Sequence, residues 1–205
     1  MADIDEFLTE LASSAPVPGG GSVAGFEVAM GAALIHMVAE LTFGRERFAP
    51  VQDEIAVIRE RAERLQAQAR SLVDADIEAF LRVSEAMKLP RGSDQEKAAR
   101  RIEVQNALEG AVGPPVATMK TAYDLMKLAG QLAPIGNPNV ISDVGSAALS
   151  IDAGYYAAKL NVEINLAAIK DERFIREITA QLPDDSDIDS GRKSVLDLVL
   201  RAIRR

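Results

Sequence analysis

Cysteine and tryptophan are absent from the 205-residue chain, and His36 is its one histidine. Without cysteine the chain can form no disulfide bond, thiol nucleophile or cysteine-ligated metal site. One histidine is too few for most zinc sites and argues against a serine–histidine–aspartate triad. Aromatic residues make up 4% of the chain and hydrophobic residues 48%, so aliphatic side chains must fill the core. That composition favours closely packed helices over an aromatic-rich β-sandwich.

Basic residues are outnumbered by acidic ones, 23 to 31, and the formal net charge is −8. This balance argues against nucleic-acid binding, because phosphate recognition needs a clustered positive surface. The acidic segment 1–6 carries no signal-peptide pattern. The apolar segments 23–43 and 141–169 each contain several charged residues, which makes membrane insertion costly. We therefore expect a soluble cytoplasmic protein without a membrane span.

Helical periodicity dominates and predicts an all-α fold, a bundle of long antiparallel helices forming one domain over 1–205. The predicted helices cover about 4–12, 22–43, 51–87, 93 onward, 141–169, a short segment after 171, and the terminus from about 193. Ser22 and Ser93 are the expected caps of the second and fourth of these helices. Pro114 and Pro115 are expected to break or kink the fourth. A polar stretch at 184–187 is predicted to precede the terminal helix.

The third predicted helix has one face with a lone acidic residue. Asp76 shares this face with apolar residues only: Ala69, Leu72, Val73, Phe80, Val83 and Met87. Asp74 instead falls in line with charged residues, which is typical of a solvated face: Arg70, Glu78 and Arg82. Burial would raise the pKa of Asp76 and suit it to general acid/base catalysis. An ordinary buried ion-pair or hydrogen-bond partner is the alternative of equal weight.

The segment 141–169 places Asp143, Asn161 and Asn165 on one side of its helix. The opposite side carries charges and is predicted to be exposed: Asp152, Lys159 and Glu163. Asp143 and Asn161 are about 27 Å apart along a straight helix, so one small substrate cannot touch both. The alternative for the two asparagines is that they bind backbone or another helix.

The glycine-rich segment 18–22 comes directly before a helix, where free amides can hold an anion. It lacks the lysine of a P-loop, and a flexible turn is the alternative. Small residues further along the same helix predict close helix packing: Ala24, Gly25, Ala29, Gly31, Ala32 and Ala33. Arg45 and Arg47 either bind an anionic tail or only solvate a connector. We expect His36 to be a core or interface residue rather than a catalytic one.

Several short segments together resemble a known family. They are PVPGGGS (16–22), MVAELT (37–42), GRERF (44–48), VDAD (73–76), EAF (78–80), KLP (88–90), EKAAR (96–100), GN (136–137), ISD (141–143), NV (161–162) and INL (164–166). Each is weak alone, but the ordered set is similar to the cyclodeaminase/cyclohydrolase family of folate enzymes. The resemblance implies an all-helical homodimer that acts on a tetrahydrofolate derivative, with or without a polyglutamate tail. It implies no metal and no cofactor beyond that substrate.

The resemblance also assigns site residues. It places the proton donor on Asp76, and it adds Asp143 and Lys88 as assisting catalytic groups. The implied substrate-binding residues are Gly20, Gly21, Ser22, Thr42, Arg47, Asn137, Ser142, Asn161 and Asn165. The chain departs from the family pattern at three positions where small or neutral residues are usual: Glu27, His36 and Glu40.

Two reactions are open to such an enzyme. A cyclohydrolase opens the ring of 5,10-methenyltetrahydrofolate with water to give 10-formyltetrahydrofolate. A cyclodeaminase joins N10 of 5-formiminotetrahydrofolate to the formimino carbon and releases ammonia. The sequence contains no formiminotransferase segment, which tilts the prediction towards the cyclohydrolase. The alternatives of another class are a helical module that binds a folate or a partner protein without catalysis, and a purely structural bundle.

Overall fold

A computed structural model describes residues 4–204, and all regular structure in that range is helical, without a β-strand. The α-helices are α1 (Ile4–Leu11), α2 (Gly20–Glu40), α3 (Gln52–Lys88), α4 (Asp94–Ala111), α5 (Gly113–Leu132), α6 (Ile141–Ala168), α7 (Glu172–Thr179) and α8 (Asp185–Ile203). Short 3-10 helices at Glu46–Val51 and Pro138–Val140 precede α3 and α6. The all-α prediction is confirmed.

Two of the predicted helix boundaries carry the expected local chemistry. The Ser93 hydroxyl accepts a hydrogen bond from the Glu96 amide at 3.2 Å, and the Glu96 carboxylate accepts one from the Ser93 amide at 2.7 Å. This reciprocal pair is a capping box, and it begins α4. Pro114 and Pro115 lie in the first turn of α5. Proline lacks an amide hydrogen, but amides in the first turn have no acceptor within the helix, so no helical hydrogen bond is lost. The predicted break before them is confirmed.

Two other helix starts differ from the prediction. α8 begins at Asp185 rather than near Lys193, and the Asp184 carboxylate accepts a bond from the Ser186 amide at 2.9 Å. Aspartates are favourable at a helix N-terminus because their negative charge is attracted to the positive end of the helix dipole. The acidic stretch is therefore a helix start rather than a connector. α2 begins at Gly20 with Gly19 in the cap position. Ser22 therefore lies inside the first turn and does not cap the helix.

Helix α2 is the central element and packs against both α3 and α6. It runs antiparallel to α6, since Gly20 lies near Asn161 whereas Gly31 lies near Ile151. The two backbones approach closely, because a methyl group at Gly31 would lie 3.1 Å from the Ala147 carbonyl oxygen. The predicted close packing of small residues in α2 is thus confirmed.

α2 is also long and apolar enough to cross a membrane by length and composition alone. In the structure, 56% of its most apolar window is buried inside the fold. A core helix passes the same test, so the match is weak support for a span.

The face of α6 that we expected to be exposed is in fact covered in part by α8. Arg192 of α8 forms an ion pair with Asp152 at 3.0 Å, and Asp185 pairs with Lys159. Asp152 and Lys159 are therefore only 19% and 28% exposed at their side chains. The prediction was wrong for these two residues because charge spacing along one helix does not show whether another helix supplies counter-charges. Glu163 is exposed as predicted.

Candidate functional site

One cavity, of about 390 Å³, is bounded by four helices and the segment before α2. Its walls are formed by the first turn of α2, the C-terminal third of α3, and residues of α4 and α6. The lining residues are Pro16, Val17, Gly19, Gly20, Gly21, Asp76, Ala79, Phe80, Val83, Met87, Leu108, Ala111, Asn161, Ile164, Asn165 and Ala168. Asp76 is the one ionisable residue among these lining residues.

The two neighbouring aspartates of α3 face different surroundings, as the helix geometry predicts. Asp74 is exposed on the charged side, where Arg82 and Glu78 form an ion pair at 3.1 Å. Asp76 is half-buried, between the fully buried Ala69 and the buried Val83. Further along its stripe, Phe80 is 44% exposed at the cavity wall. The face of Asp76 therefore opens into a cavity rather than a closed core.

The Asp76 carboxylate lies against the first turn of α2. Its Oδ2 accepts a hydrogen bond from the Ser22 hydroxyl at 2.9 Å. The nearby Ser22 backbone amide also favours the ionised carboxylate and so acts to lower its pKa. Gly21 allows this approach, because a Cβ atom there would lie 2.6 Å from Asp76 Cγ. The glycine-rich segment thus presents a helix N-terminus to an anion, and the anion that occupies it is a side chain of the same protein.

Burial raises the pKa of Asp76, and the hydrogen bonds from Ser22 oppose that rise. Desolvation disfavours the charged carboxylate, whereas donors to the carboxylate favour it. The net direction is upwards. A carboxyl group with a raised pKa in a cavity suits proton transfer near neutral pH better than an exposed aspartate does.

Asn161 and Asn165 of α6 line the same cavity. The Asn161 amide group donates to the Ala157 carbonyl oxygen in its own helix, and the Asn165 amide group donates to Ala111 of α4, both at 2.9 Å. Asn165 therefore joins two walls of the cavity. Both asparagines bind backbone, as the alternative held, and they also line the site.

Comparison with known proteins gives the same family that the sequence motifs resemble. A family model described as formiminotransferase-cyclodeaminase matches residues 3–184. The chain belongs to this family. It is 41% identical to a methenyltetrahydrofolate cyclohydrolase of Methylorubrum extorquens, over 87% of this chain and 86% of the relative. It is 31% identical to a formiminotetrahydrofolate cyclodeaminase of Thermotoga maritima, whose crystal structure matches with a TM-score of 0.87 over 98% of each chain.

Larger members of the family are related to this chain over part of their length. The formimidoyltransferase-cyclodeaminases of Mus musculus and Rattus norvegicus are 36% and 35% identical over 82% and 84% of this chain. The matched regions make up 31% and 32% of those enzymes. The chain therefore spans about a third of the length of these relatives.

The family pattern assigns further residues, and the structure places several of them far from the cavity. Thr42 and Asn137 lie beyond the far end of α2, which spans about 30 Å at 1.5 Å per residue. The backbone amide of Asn137 donates to the Thr42 hydroxyl at 2.9 Å, and the Thr42 hydroxyl donates to the Val38 carbonyl oxygen at 2.7 Å. Both side chains are buried and join the α2 terminus to the turn before α6.

Three other family positions lie near this far end. Ser142 and Asp143 are in the first turn of α6, about 27 Å along the helix from Asn161. Arg47 lines a separate cavity of about 420 Å³ beside Pro134 and Pro138. Within one chain, a single folate tail therefore cannot contact both Arg47 and the glycine-rich segment.

Lys88 occupies an intermediate position. It lies at the end of α3, about 18 Å along the helix from Asp76, and pairs with Glu85 at 2.6 Å on the exposed surface. Its neighbour Met87 lines the cavity. In this structure Lys88 is thus at the rim of the site and does not contact Asp76.

The three departures from the family pattern leave the cavity open. Glu27, His36 and Glu40 are absent from its lining residues. His36 and Glu40 lie 3.3 Å apart on α2, and Arg59 of α3 also pairs with Glu40 at 3.5 Å. Burial raises the pKa of Glu27. His36 is thus a half-buried residue paired with Glu40; it lies outside the buried core, and its predicted place at an interface stays a prediction.

Several lining residues were not predicted from the sequence. Leu108 and Ala111 come from α4, and Pro16 and Val17 come from the segment before α2. Pro16 and Val17 belong to the PVPGGGS segment but were not assigned to the site, and no motif marks Leu108 and Ala111. They belong to the site only because α4 and the segment before α2 pack beside α3. Among residues 4–204, no group of three or more histidine, aspartate or glutamate side chains is arranged to hold a metal ion.

Proposed function

We propose that this protein hydrolyses 5,10-methenyltetrahydrofolate to 10-formyltetrahydrofolate, with Asp76 as the group that exchanges protons with the substrate. The observation that carries the proposal is the half-buried Asp76 carboxyl group with its raised pKa in the apolar cavity. The cavity volume of about 390 Å³ falls in the range of small-molecule sites. The similarity to a relative named methenyltetrahydrofolate cyclohydrolase supports the choice of reaction.

The reaction needs two proton transfers, and one carboxyl group can serve both. Water adds to the methenyl carbon and gives up a proton, for which the Asp76 carboxylate is the acceptor. The bond between that carbon and N5 then breaks, and N5 takes a proton from the carboxylic acid. Donation to N5 returns Asp76 to the carboxylate. The second water proton, on the hydroxyl oxygen, leaves to solvent as the carbon–oxygen double bond of the formyl group on N10 forms, and it is the proton released in the net reaction. These proton transfers require a group whose pKa lies nearer neutrality than that of an exposed aspartate.

A cyclodeaminase reaction is the second candidate, and the same cavity supports it. N10 of 5-formiminotetrahydrofolate would attack the formimino carbon, and the departing ammonia would take the Asp76 proton. The Thermotoga maritima similarity favours this reaction. A non-catalytic folate-binding module is the third candidate. Occlusion of the cavity by Glu27 and Glu40 would favour it, but neither residue lines the cavity.

The decisive experiment follows the absorbance of the methenyl group. Purified protein is mixed either with 5,10-methenyltetrahydrofolate, where a cyclohydrolase accelerates the loss of absorbance, or with 5-formiminotetrahydrofolate, where a cyclodeaminase produces it. The uncatalysed rate is measured under the same conditions. We expect acceleration with the first substrate. Acceleration with neither substrate would overturn the enzymatic proposal, and saturable binding without turnover would identify the folate-binding module.

Two matched variants test the assignment of Asp76. We expect Asp76→Asn to lower the catalysed rate by about a hundredfold to ten-thousandfold, the usual contribution of a positioned acid or base. Asp74→Asn, two residues away on the exposed side of the same helix, is expected to retain the parent rate. Full activity of Asp76→Asn together with loss of activity in Asp74→Asn would show that the wrong aspartate has been chosen.

The proposal includes a homodimer. The outward side of the α2–α6 pair exposes apolar side chains: Met30 and Met37 on α2 and Leu149 on α6, which are 43%, 38% and 50% exposed. An antiparallel pairing of two such faces would bring the Thr42 and Asp143 end of one subunit towards the Asp76 cavity of the other. The cytoplasmic location and the lack of any cofactor beyond the folate itself stay predictions.

A further inference from the structure

The first turn of α2 has no capping side chain of its own. Gly19 occupies the cap position and makes no side-chain hydrogen bond. The acceptor comes instead from α3, because the Asp76 carboxylate takes the bond from the Ser22 hydroxyl and lies close enough to the Ser22 amide to be stabilised by it. These two residues are 54 positions apart in the chain. A group from the candidate site thus takes the place that an N-cap residue normally fills.

Ser22 reaches the carboxylate from inside the protein. Its side chain is completely buried, whereas Asp76 lines the cavity. A ligand in the cavity can therefore contact Asp76 but finds no exposed surface of Ser22. Any effect of Ser22 on a reaction must pass through the carboxylate that it holds.

We propose that Ser22 is a positioning residue that fixes the Asp76 carboxyl group at the start of α2 and stabilises its ionised form. The substrate-binding role implied by family resemblance is thereby replaced by an indirect one. Two observations carry this inference: the 2.9 Å bond between the Ser22 hydroxyl and Asp76 Oδ2, and the absence of a side chain at Gly21. The kinetic consequence rests on the proposed function, whereas the effect on the carboxyl group itself does not.

Two opposing effects determine when the carboxyl group loses its proton. Burial at the cavity wall favours the neutral acid, and the Ser22 bonds favour the carboxylate. Without Ser22 the burial effect would act with less opposition, and the group would release its proton at a higher pH. A proton carrier in both steps of a reaction must reach either state, so this balance is useful to the proposed chemistry.

The first test measures the Asp76 carboxyl group directly, without substrate. Aspartate side chains are labelled with carbon-13, the Asp76 signal is assigned by its loss in Asp76→Asn, and its titration is followed by NMR. In Ser22→Ala we expect the Asp76 midpoint to rise by about one pH unit, the size of one hydrogen bond to a charged group. An unchanged Asp76 midpoint would overturn the inference.

Ser71→Ala is the matched control. Ser71 lies on the same helix as Asp76, and its hydroxyl donates to the Gln68 carbonyl oxygen at 2.8 Å on the exposed surface. This variant also loses one hydroxyl and one hydrogen bond, but away from the cavity. We expect it to leave the Asp76 midpoint unchanged.

The second test is kinetic. In Ser22→Ala, the inflection that Asp76 gives to the pH profile of kcat/KM, which reports the free enzyme, should move upwards by the same amount as its NMR midpoint, with little change in KM. If the NMR midpoint moves but no folate substrate is turned over, the proposed function fails and the role of Ser22 at the carboxylate stands. If turnover occurs and neither the NMR midpoint nor the kinetic inflection moves, the proposed role of Ser22 is wrong and the proposed function is unaffected.

Gly21→Ala provides an independent variant in case Ser22→Ala does not fold. The added methyl group would push the Asp76 carboxyl group away from Ser22, and misplacement of about 1 Å can lower kcat by about a hundredfold. The Asp76 midpoint should rise here too. Gly130→Ala in α5, where an added Cβ meets no atom within 4 Å, should change neither quantity. Parent-like kcat and midpoint in Gly21→Ala would contradict the inference.

Discussion

The Asp76 carboxyl group is expected to lower the stability of the fold at neutral pH. Burial raises its pKa, so between the unfolded and folded pKa values the folded state binds more protons than the unfolded state. The free energy of unfolding therefore falls as pH rises through that interval, and the penalty persists above it. Asp76→Asn removes the titration and keeps an oxygen for Ser22. We predict that this variant is more stable than the parent at neutral pH.

Urea unfolding of both proteins at neutral pH and near pH 4 checks this prediction. The difference in unfolding free energy should shrink as pH falls from the folded pKa towards the unfolded pKa, because Asp76 of the folded parent takes up its proton in that interval. Asp74→Asn should show no such pH-dependent difference. A parent that is more stable than Asp76→Asn at neutral pH would show that the Ser22 bonds outweigh burial.

The placement of Asp76 on the half-buried face of α3 was predictable from the sequence at the residue scale, but its partner was not. Helical geometry separates Asp76 from Asp74 because both lie on one regular helix. The contact with Ser22 depends instead on the crossing of α2 and α3, which a helical repeat cannot reveal. Ser22 follows a glycine run in the sequence and so resembles an N-cap. In the structure Gly19 takes the cap position and Ser22 turns towards Asp76.

At the scale of elements, the contact between α2 and α6 leaves no room for a side chain at Gly154. A Cβ atom there would lie 2.7 Å from Val28 Cγ2 and 2.8 Å from the Ala24 carbonyl oxygen. The carbonyl oxygen belongs to a helix backbone and cannot move independently. We predict that Gly154→Ala lowers the free energy of unfolding by about 1–3 kcal/mol, as overpacking does. Urea denaturation measures the change.

Gly110→Ala is the control for this substitution. Gly110 lies in α4, and an added Cβ would meet no atom within 4 Å. Alanine is the better helix former, so this variant should be more stable by about 0.5–1 kcal/mol. If both substitutions changed the free energy of unfolding equally, α2 and α6 would have moved apart to accept the methyl group at Gly154 without cost.

The long helices were predicted well because each has a continuous periodic pattern and a chemical signal at its ends. The capping box of Ser93 and the proline pair before α5 are local signals, and both appear where expected. The start of α8 was misplaced because aspartate and serine are common in connectors and at helix N-termini alike. Only the packing of α8 on α6, through pairs such as Arg192 with Asp152, decides between them.

At the scale of the whole molecule, the apolar outward side of α2 and α6 predicts self-association. We expect the parent protein to be a dimer by size-exclusion chromatography with light scattering. Met30→Asp would place two like charges in a twofold interface and should shift the protein towards the monomer. Val57→Asp is the control, because Val57 is also exposed but lies on α3.

Two results would contradict this assignment. A monomeric parent would remove the dimer altogether, and a dimeric Met30→Asp variant would place the interface elsewhere. If the monomeric variant also loses catalytic activity while its helical content is unchanged, the second subunit contributes to the site. Sequence alone could not locate this surface, because exposure depends on which sides of α2 and α6 the other helices leave uncovered.

The cavity has a natural position for an optical reporter. The chain contains no tryptophan, and Phe80 stands at the cavity wall with 44% of its surface exposed. Phe80→Trp would therefore introduce one indole in the whole protein, beside the place where a ligand would enter. Its fluorescence would report on that place without background from other indoles. Occupancy could then be followed for ligands that undergo no reaction at all.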